Sequence, residues 1–103
     1  MEEREPTMTE QTREDGMRLL RAMEEEHAER RAGQPLQANT PVTPEAVARR
    51  AGLNPTHERF DAAVRWLEEE NAIEWDERAG EVGGKRLYLL TRRGVEMLRE
   101  GRS

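Results

Sequence analysis

The stretch Val42-Thr43-Pro44-Glu45-Ala46-Val47-Ala48-Arg49-Arg50-Ala51-Gly52-Leu53-Asn54-Pro55 decides how this chain is read. Thr43 is a good helix cap, Pro44 suits the first helical position, and Glu45 suits the positive end of the helix dipole. Val42 and Val47 hold the two positions of a hydrophobic staple. Gly52 ends a short helix, and Leu53 returns to the core. Asn54 and Pro55 repeat the cap-then-proline signal and predict a third helix running to about Asn71. Within it Phe60, Ala63, Val64 and Leu67 follow the i, i+3, i+4, i+7 spacing of one apolar face.

Outward from this pair, the N-terminal side predicts a first helix from Thr12. Thr12 acts as its cap and Asp15 as the acidic half of a capping box. Met17, Leu20 and Met23, with Leu19 beside them, form its apolar stripe, and Gly33 stops it. Residues 33–41 are a connector that Leu36 pins to the core. On the C-terminal side Ile73 and Trp75 alternate with Glu74 and Asp76, which predicts a strand with Trp75 facing the core. Residues 78–84 hold three glycines and read as a turn, and residues 85–90 as the second strand of a hairpin. With Tyr88 and Leu90 inward, Leu87 and Leu89 point outward. Thr91 caps a last helix, Arg92 to about Glu100, in which Gly94 allows close contact. Trp66, beside the stripe of the third helix, reads as a packing group. The organisation is a disordered tail over residues 1–11, one domain over 12–100, and a tail over 101–103.

Composition bounds the class. The chain has 103 residues, no cysteine, 17 basic and 22 acidic residues, and a net charge of −5. A low count of large aliphatic residues sits near the border of disorder, but the charges largely cancel, so one small folded domain is expected. No apolar run is long enough for a transmembrane helix and no secretory leader is seen, which predicts a soluble, cytoplasmic protein with no membrane association. Without cysteine there is neither a disulfide framework nor a thiolate metal site. Arg outnumbers Lys 16 to 1, the codon usage of a high-GC bacterial genome. Residues 71–103 carry seven basic and six acidic residues and are the only third of the chain with a positive balance.

The order helix, connector, short helix, tight turn, helix, hairpin, helix is that of a winged helix-turn-helix domain. Three stretches carry the likeness. Residues 42–53 resemble the first helix and turn of helix-turn-helix regulators, with Ala48 small enough for close helix approach and Gly52 at the positive-φ turn. Leu67-Glu68-Glu69-Glu70-Asn71-Ala72-Ile73-Glu74 resembles the exit from a recognition helix into a wing. Tyr88-Leu89-Leu90-Thr91-Arg92-Arg93-Gly94-Val95-Glu96-Met97-Leu98 resembles the end of the wing and the following helix in winged-helix transcriptional regulators. The chain departs from a strict helix-turn-helix after Gly52. The apolar series begins at Phe60 rather than nearer Glu58, so the turn is about two residues longer.

The resemblance implies a mainly α fold with a small β-hairpin and a bacterial DNA-binding regulator. Its third helix would enter the major groove of double-stranded DNA and its wing would rest on phosphates. On the third helix the groups that fit are Thr56, His57, Arg59, Ala62 and Arg65. At the wing they are Arg78, Lys85 and Arg86, and at the N-terminus of the last helix Arg92 and Arg93. Arg49 and Arg50 can add contacts. Glu58, Asp61, Glu68, Glu69 and Glu70 oppose a polyanion. They leave open a protein-interaction winged helix, or an accessory subunit of a nucleic-acid-processing complex. A homodimer would use the first helix or the Leu87/Leu89 surface. His27 and His57 stand apart without ligand spacing, and neither a phosphate loop nor a nucleophile–base pattern is present. The expectation is therefore no enzyme, no cofactor and no metal.

Overall fold

The computed structural model of the chain describes residues 4–78, 81–82 and 85–101. It is mainly helical, with a small antiparallel sheet. The order is α1 (Arg4–Arg30), β1 (Pro41–Val42), α2 (Pro44–Val47), α3 (Glu58–Glu69), β2 (Ile73–Trp75), β3 (Glu81–Val82), β4 (Lys85–Arg86), β5 (Tyr88–Leu90) and α4 (Arg92–Glu100). The sheet has the strand order β1-β5-β2, and β3 and β4 form a separate two-stranded ribbon.

α1 begins at Arg4, well before the expected start at Thr12, so residues 4–11 are helical where the sequence predicts a disordered tail. Pro6 falls in the first turn, where its missing N–H has no intrahelical partner to lose. Residues 1–3 and 102–103 lie outside the described residues. Thr12 and Asp15 are interior to the helix, so neither caps it. Leu19, Leu20, Ala22 and Met23 enter the core with Leu36, Val42, Val47, Ala48, Leu53, Phe60, Ala63, Leu67, Ile73, Tyr88, Leu90, Met97 and Leu98. The apolar stripe of α1 is thereby occupied within the chain, so Leu19, Leu20 and Met23 are not available to a second copy.

α2 is shorter than expected and gives way to turns after Val47. Thr43 has extended backbone at the cap position but makes no side-chain cap bond. Val42 and Val47 are both buried, as a staple requires. The turn closes through Leu53 N–H to Ala48 O at 2.8 Å, with Gly52 at φ +79°, a conformation an L side chain rarely adopts. Asn54 does not cap α3. Its Oδ1 accepts from the Thr56 backbone N–H at 3.0 Å and from the Thr56 hydroxyl at 2.8 Å, which makes a local turn. His57 is the cap, its Nδ1 accepting from Arg59 N–H at 3.2 Å. α3 therefore starts at Glu58, later than the Asn54–Pro55 signal predicts.

α3 ends before Asn71, which takes the left-handed conformation at φ +61°. Ala72 N–H closes onto Leu67 O at 2.9 Å and Asn71 N–H onto Glu68 O at 3.0 Å, so the last carbonyls are paired. β2 and β5 pair with Ile73 opposite Leu90 and Trp75 opposite Tyr88. The expected continuous strand over residues 85–90 is broken at Leu87. Its first part joins the ribbon and its second the sheet. β1, across the end of the expected connector, pairs with the other edge of β5, Val42 opposite Tyr88. Thr91 caps α4 by accepting Gly94 N–H at 3.0 Å, and a Cβ on Gly94 would overlap the Ala72 carbonyl oxygen. Among the described residues no helix is long and apolar enough to cross a membrane.

Candidate nucleic-acid interface

α3 is fixed on its inner side by Phe60, Ala63 and Leu67, all buried. Its outer side follows from the same period and presents Glu58, Arg59, Asp61 and Arg65 to solvent, with Ala62 half-buried among them. Thr56 and His57 stand exposed just before the helix. Both already hold a local bond, Thr56 to Asn54 and His57 to the first turn of α3.

Arg59 is not a free contact group. Its Nε donates to Asp15 Oδ2 at 2.7 Å and its Nη2 to Asp15 Oδ1 at 3.0 Å, a bidentate clamp from α3 to α1. The Asp15 side chain is fully buried and also accepts from Gln11 Nε2 at 3.0 Å. Burial pushes the Asp15 carboxyl up. The hydrogen bonds from Arg59 and Gln11 and the charges of Arg59 and Arg18 outweigh that and hold it below the usual carboxylate range. To reach a base with the atoms that hold Asp15, Arg59 would have to give up its clamp on a buried carboxylate, although its side chain stays partly exposed. Arg50 is likewise engaged, both Nη atoms reaching Glu29 at 2.8 Å on the surface.

Arg65 keeps an exposed side chain. It lines a groove between α3 and the sheet together with Asp61, Glu68, Arg86 and Tyr88. Arg65 from α3 and Arg86 from β4 therefore meet on one side of the molecule. Arg86 lies over the Trp75 ring, 4.8 Å from its centroid, a cation–π contact. Trp75 corrects the sequence reading: it is 41% exposed, not in the core. Alternation fixes which face of the sheet a side chain takes, but not whether anything covers that face. Tyr88, one strand over, is buried, and its hydroxyl titrates above the ordinary tyrosine range because of burial and a hydrogen bond with Glu68.

The remaining predicted cations scatter. Arg78 is exposed in the turn after β2, and Arg92 is exposed at the start of α4. Arg93 is drawn toward Glu100 at 3.6 Å and Glu96 at 3.9 Å. Lys85 falls on β4, but its side chain and the glycine tip of the ribbon lie outside the described residues. Leu87 and Leu89 are half-buried rather than outward and bare.

Sequence reasoning missed the Asp15–Arg59 and Trp75–Arg86 pairs. A signal for the first was present. Asp15 stands four residues before Leu19, on the buried stripe of α1, and an acid on an apolar face requires a cation. Comparison with known protein families, with curated proteins and with solved structures finds no match for this chain.

Proposed function

We propose that the chain is a winged helix-turn-helix module that binds duplex DNA as a small bacterial transcriptional regulator, with the wing carrying most of the contact. The strand order carries this reading. β1 precedes α2 and pairs with β5 on the edge opposite β2. The chain thus leaves β2, makes the β3–β4 ribbon, and returns between its two earlier strands. That path is the one expected of a winged helix, with α2 and α3 in the place of the helix-turn-helix and the ribbon in the place of the wing. Arg65 and Arg86, sharing one groove, supply a cation from each element on the same side.

The charges favour phosphate contact over base reading. With Arg59 held by Asp15, the outer side of α3 sets Glu58, Asp61, Glu68 and Glu69 against Arg65 alone. Arg78, Lys85, Arg86 and Arg92 carry the backbone contact. Fluorescence anisotropy with labelled duplexes tests this. Binding at about 50 mM salt should weaken with a log–log slope of about −3, the value for three or four phosphate contacts. Selection from random duplexes should enrich only a weak preference. Absence of any salt-sensitive binding removes the DNA reading. It leaves a protein-docking winged helix, which the acidic outer side of α3 specifically favours.

A further inference from the structure

A cleft of about 650 Å³ opens between α1, the C-terminal end of α3 and α4, away from the wing. Its size is within the range of small-molecule sites, roughly 300–1,000 Å³. Trp66, Met17 and Met97 give it an apolar and aromatic lining. The Trp66 ring lies against the backbone of α1 at Gly16, where a Cβ would overlap it, so the indole is held in place rather than mobile. Around this lining stand four guanidinium groups, those of Arg13, Arg18, Arg21 and Arg93. Three carboxylates, Glu14, Glu70 and Glu100, share the rim; Arg93 is paired with Glu100 and Glu96, and Arg18 lies 3.9 Å from Asp15, so Arg13 and Arg21 are the cations of the cleft least engaged by a carboxylate. Gly101 lines the cleft. A Cβ there would lie 3.2 Å from Arg21 Nη2 and 3.4 Å from Met17 Cε.

We infer that this cleft binds a small aromatic carboxylate, its ring on Trp66 and the methionines and its carboxylate on the arginines of α1. A ring alone gains only a weak stacking contact from the guanidinium groups and leaves their charge unmatched, and a small inorganic anion gains nothing from Trp66. A ligand with both parts uses the whole cleft. Arginine is the side chain suited to a planar carboxylate, through two parallel N–H donors. Met and Trp accept a flat ring with little reshaping. The inference is independent of DNA binding, since the cleft shares no residue with the groove between α3 and the wing.

The test uses the full chain carrying Trp75→Phe, which leaves Trp66 as the only indole. Benzoate is the probe, with benzyl alcohol as the uncharged ring and acetate as the charge without the ring. Benzoate should change Trp66 emission saturably, with a Kd on the order of 1 mM for a ligand of this size. The two controls should bind at least about tenfold more weakly. Arg21→Ala and Gly101→Leu should each weaken benzoate about tenfold without lowering Tm, while Arg78→Ala should leave it unchanged. No saturable change at about 10 mM overturns the inference. So does equal binding of benzyl alcohol, or benzoate binding indifferent to both cleft variants.

Discussion

Two arginines, Arg59 and Arg86, were equivalent candidates in the sequence, and the structure treats them in opposite ways. Arg59 bridges α1 and α3 by closing on a carboxylate that has no exposure. Arg86 rests on a tryptophan ring that is itself 41% exposed. The first contact cannot be exchanged for a phosphate without leaving a buried carboxylate to Gln11 and the more distant Arg18. In the second, the Trp75 ring and the Arg86 side chain stay exposed while Arg86 also bonds the Tyr88 hydroxyl, so a phosphate or a base would add to contacts already made. An arginine on a helix face is therefore available for recognition only when nothing behind it requires its charge.

The largest expected effect breaks the first seam. Arg59→Ala should lower Tm by about 5 °C or more, because Asp15 stays buried without its clamp. Arg59→Lys should recover only part of this, since a single ammonium cannot reproduce the two-pronged bond. Next is Gly16→Ala, beside Asp15. Alanine is the better helix former by about 1 kcal/mol, yet the new Cβ meets the Trp66 ring, and net destabilisation of about 1–2 kcal/mol is expected in urea unfolding.

A pH series sharpens the same comparison. The folded-state pKa of Asp15 is depressed, so its contribution to stability is fully present above the unfolded value, about 4. It is lost as pH falls through the lower folded value. The acid limb of the urea midpoint should therefore be steeper in the native chain than in Asp15→Asn. The smallest effect on folding belongs to the wing. Trp75→Ala and Arg86→Ala should each leave Tm within about 2 °C, as surface changes do, while weakening duplex binding about three- to tenfold. If Arg59→Ala cuts DNA binding more than Arg86→Ala, after correction for folded fraction, the assignment of the two arginines is reversed.

The chain's own signals differ in how far they carry. Thr91 as cap and α4 over Arg92–Glu100 were legible, because a strong cap and a clear apolar period coincide there. The same holds for Gly52, where only one conformation fits the turn. β1 was not legible, because two residues cannot display a period of two. It exists only because the free edge of β5 pairs with Pro41 and Val42. The start of α3 moved from Asn54 to His57 because the Asn54 side chain closes a turn with Thr56 instead. At the candidate interface, the residue types were legible and their availability was not. Whether Arg59 is free depends on a carboxylate 44 positions away in the chain, which no local pattern reports.

Thr91 ties the end of one helix to the start of the next. Its hydroxyl proton is shared by the carbonyl oxygens of Asn71 and Ala72, while the same oxygen receives the Gly94 N–H. The consequence is one of timescale. The Gly94 amide and the exit from α3 share one hydroxyl, so the prediction is that their hydrogens exchange with solvent in a single cooperative event. A partner that touched both helices would then have to accommodate the angle that this shared hydroxyl sets between them.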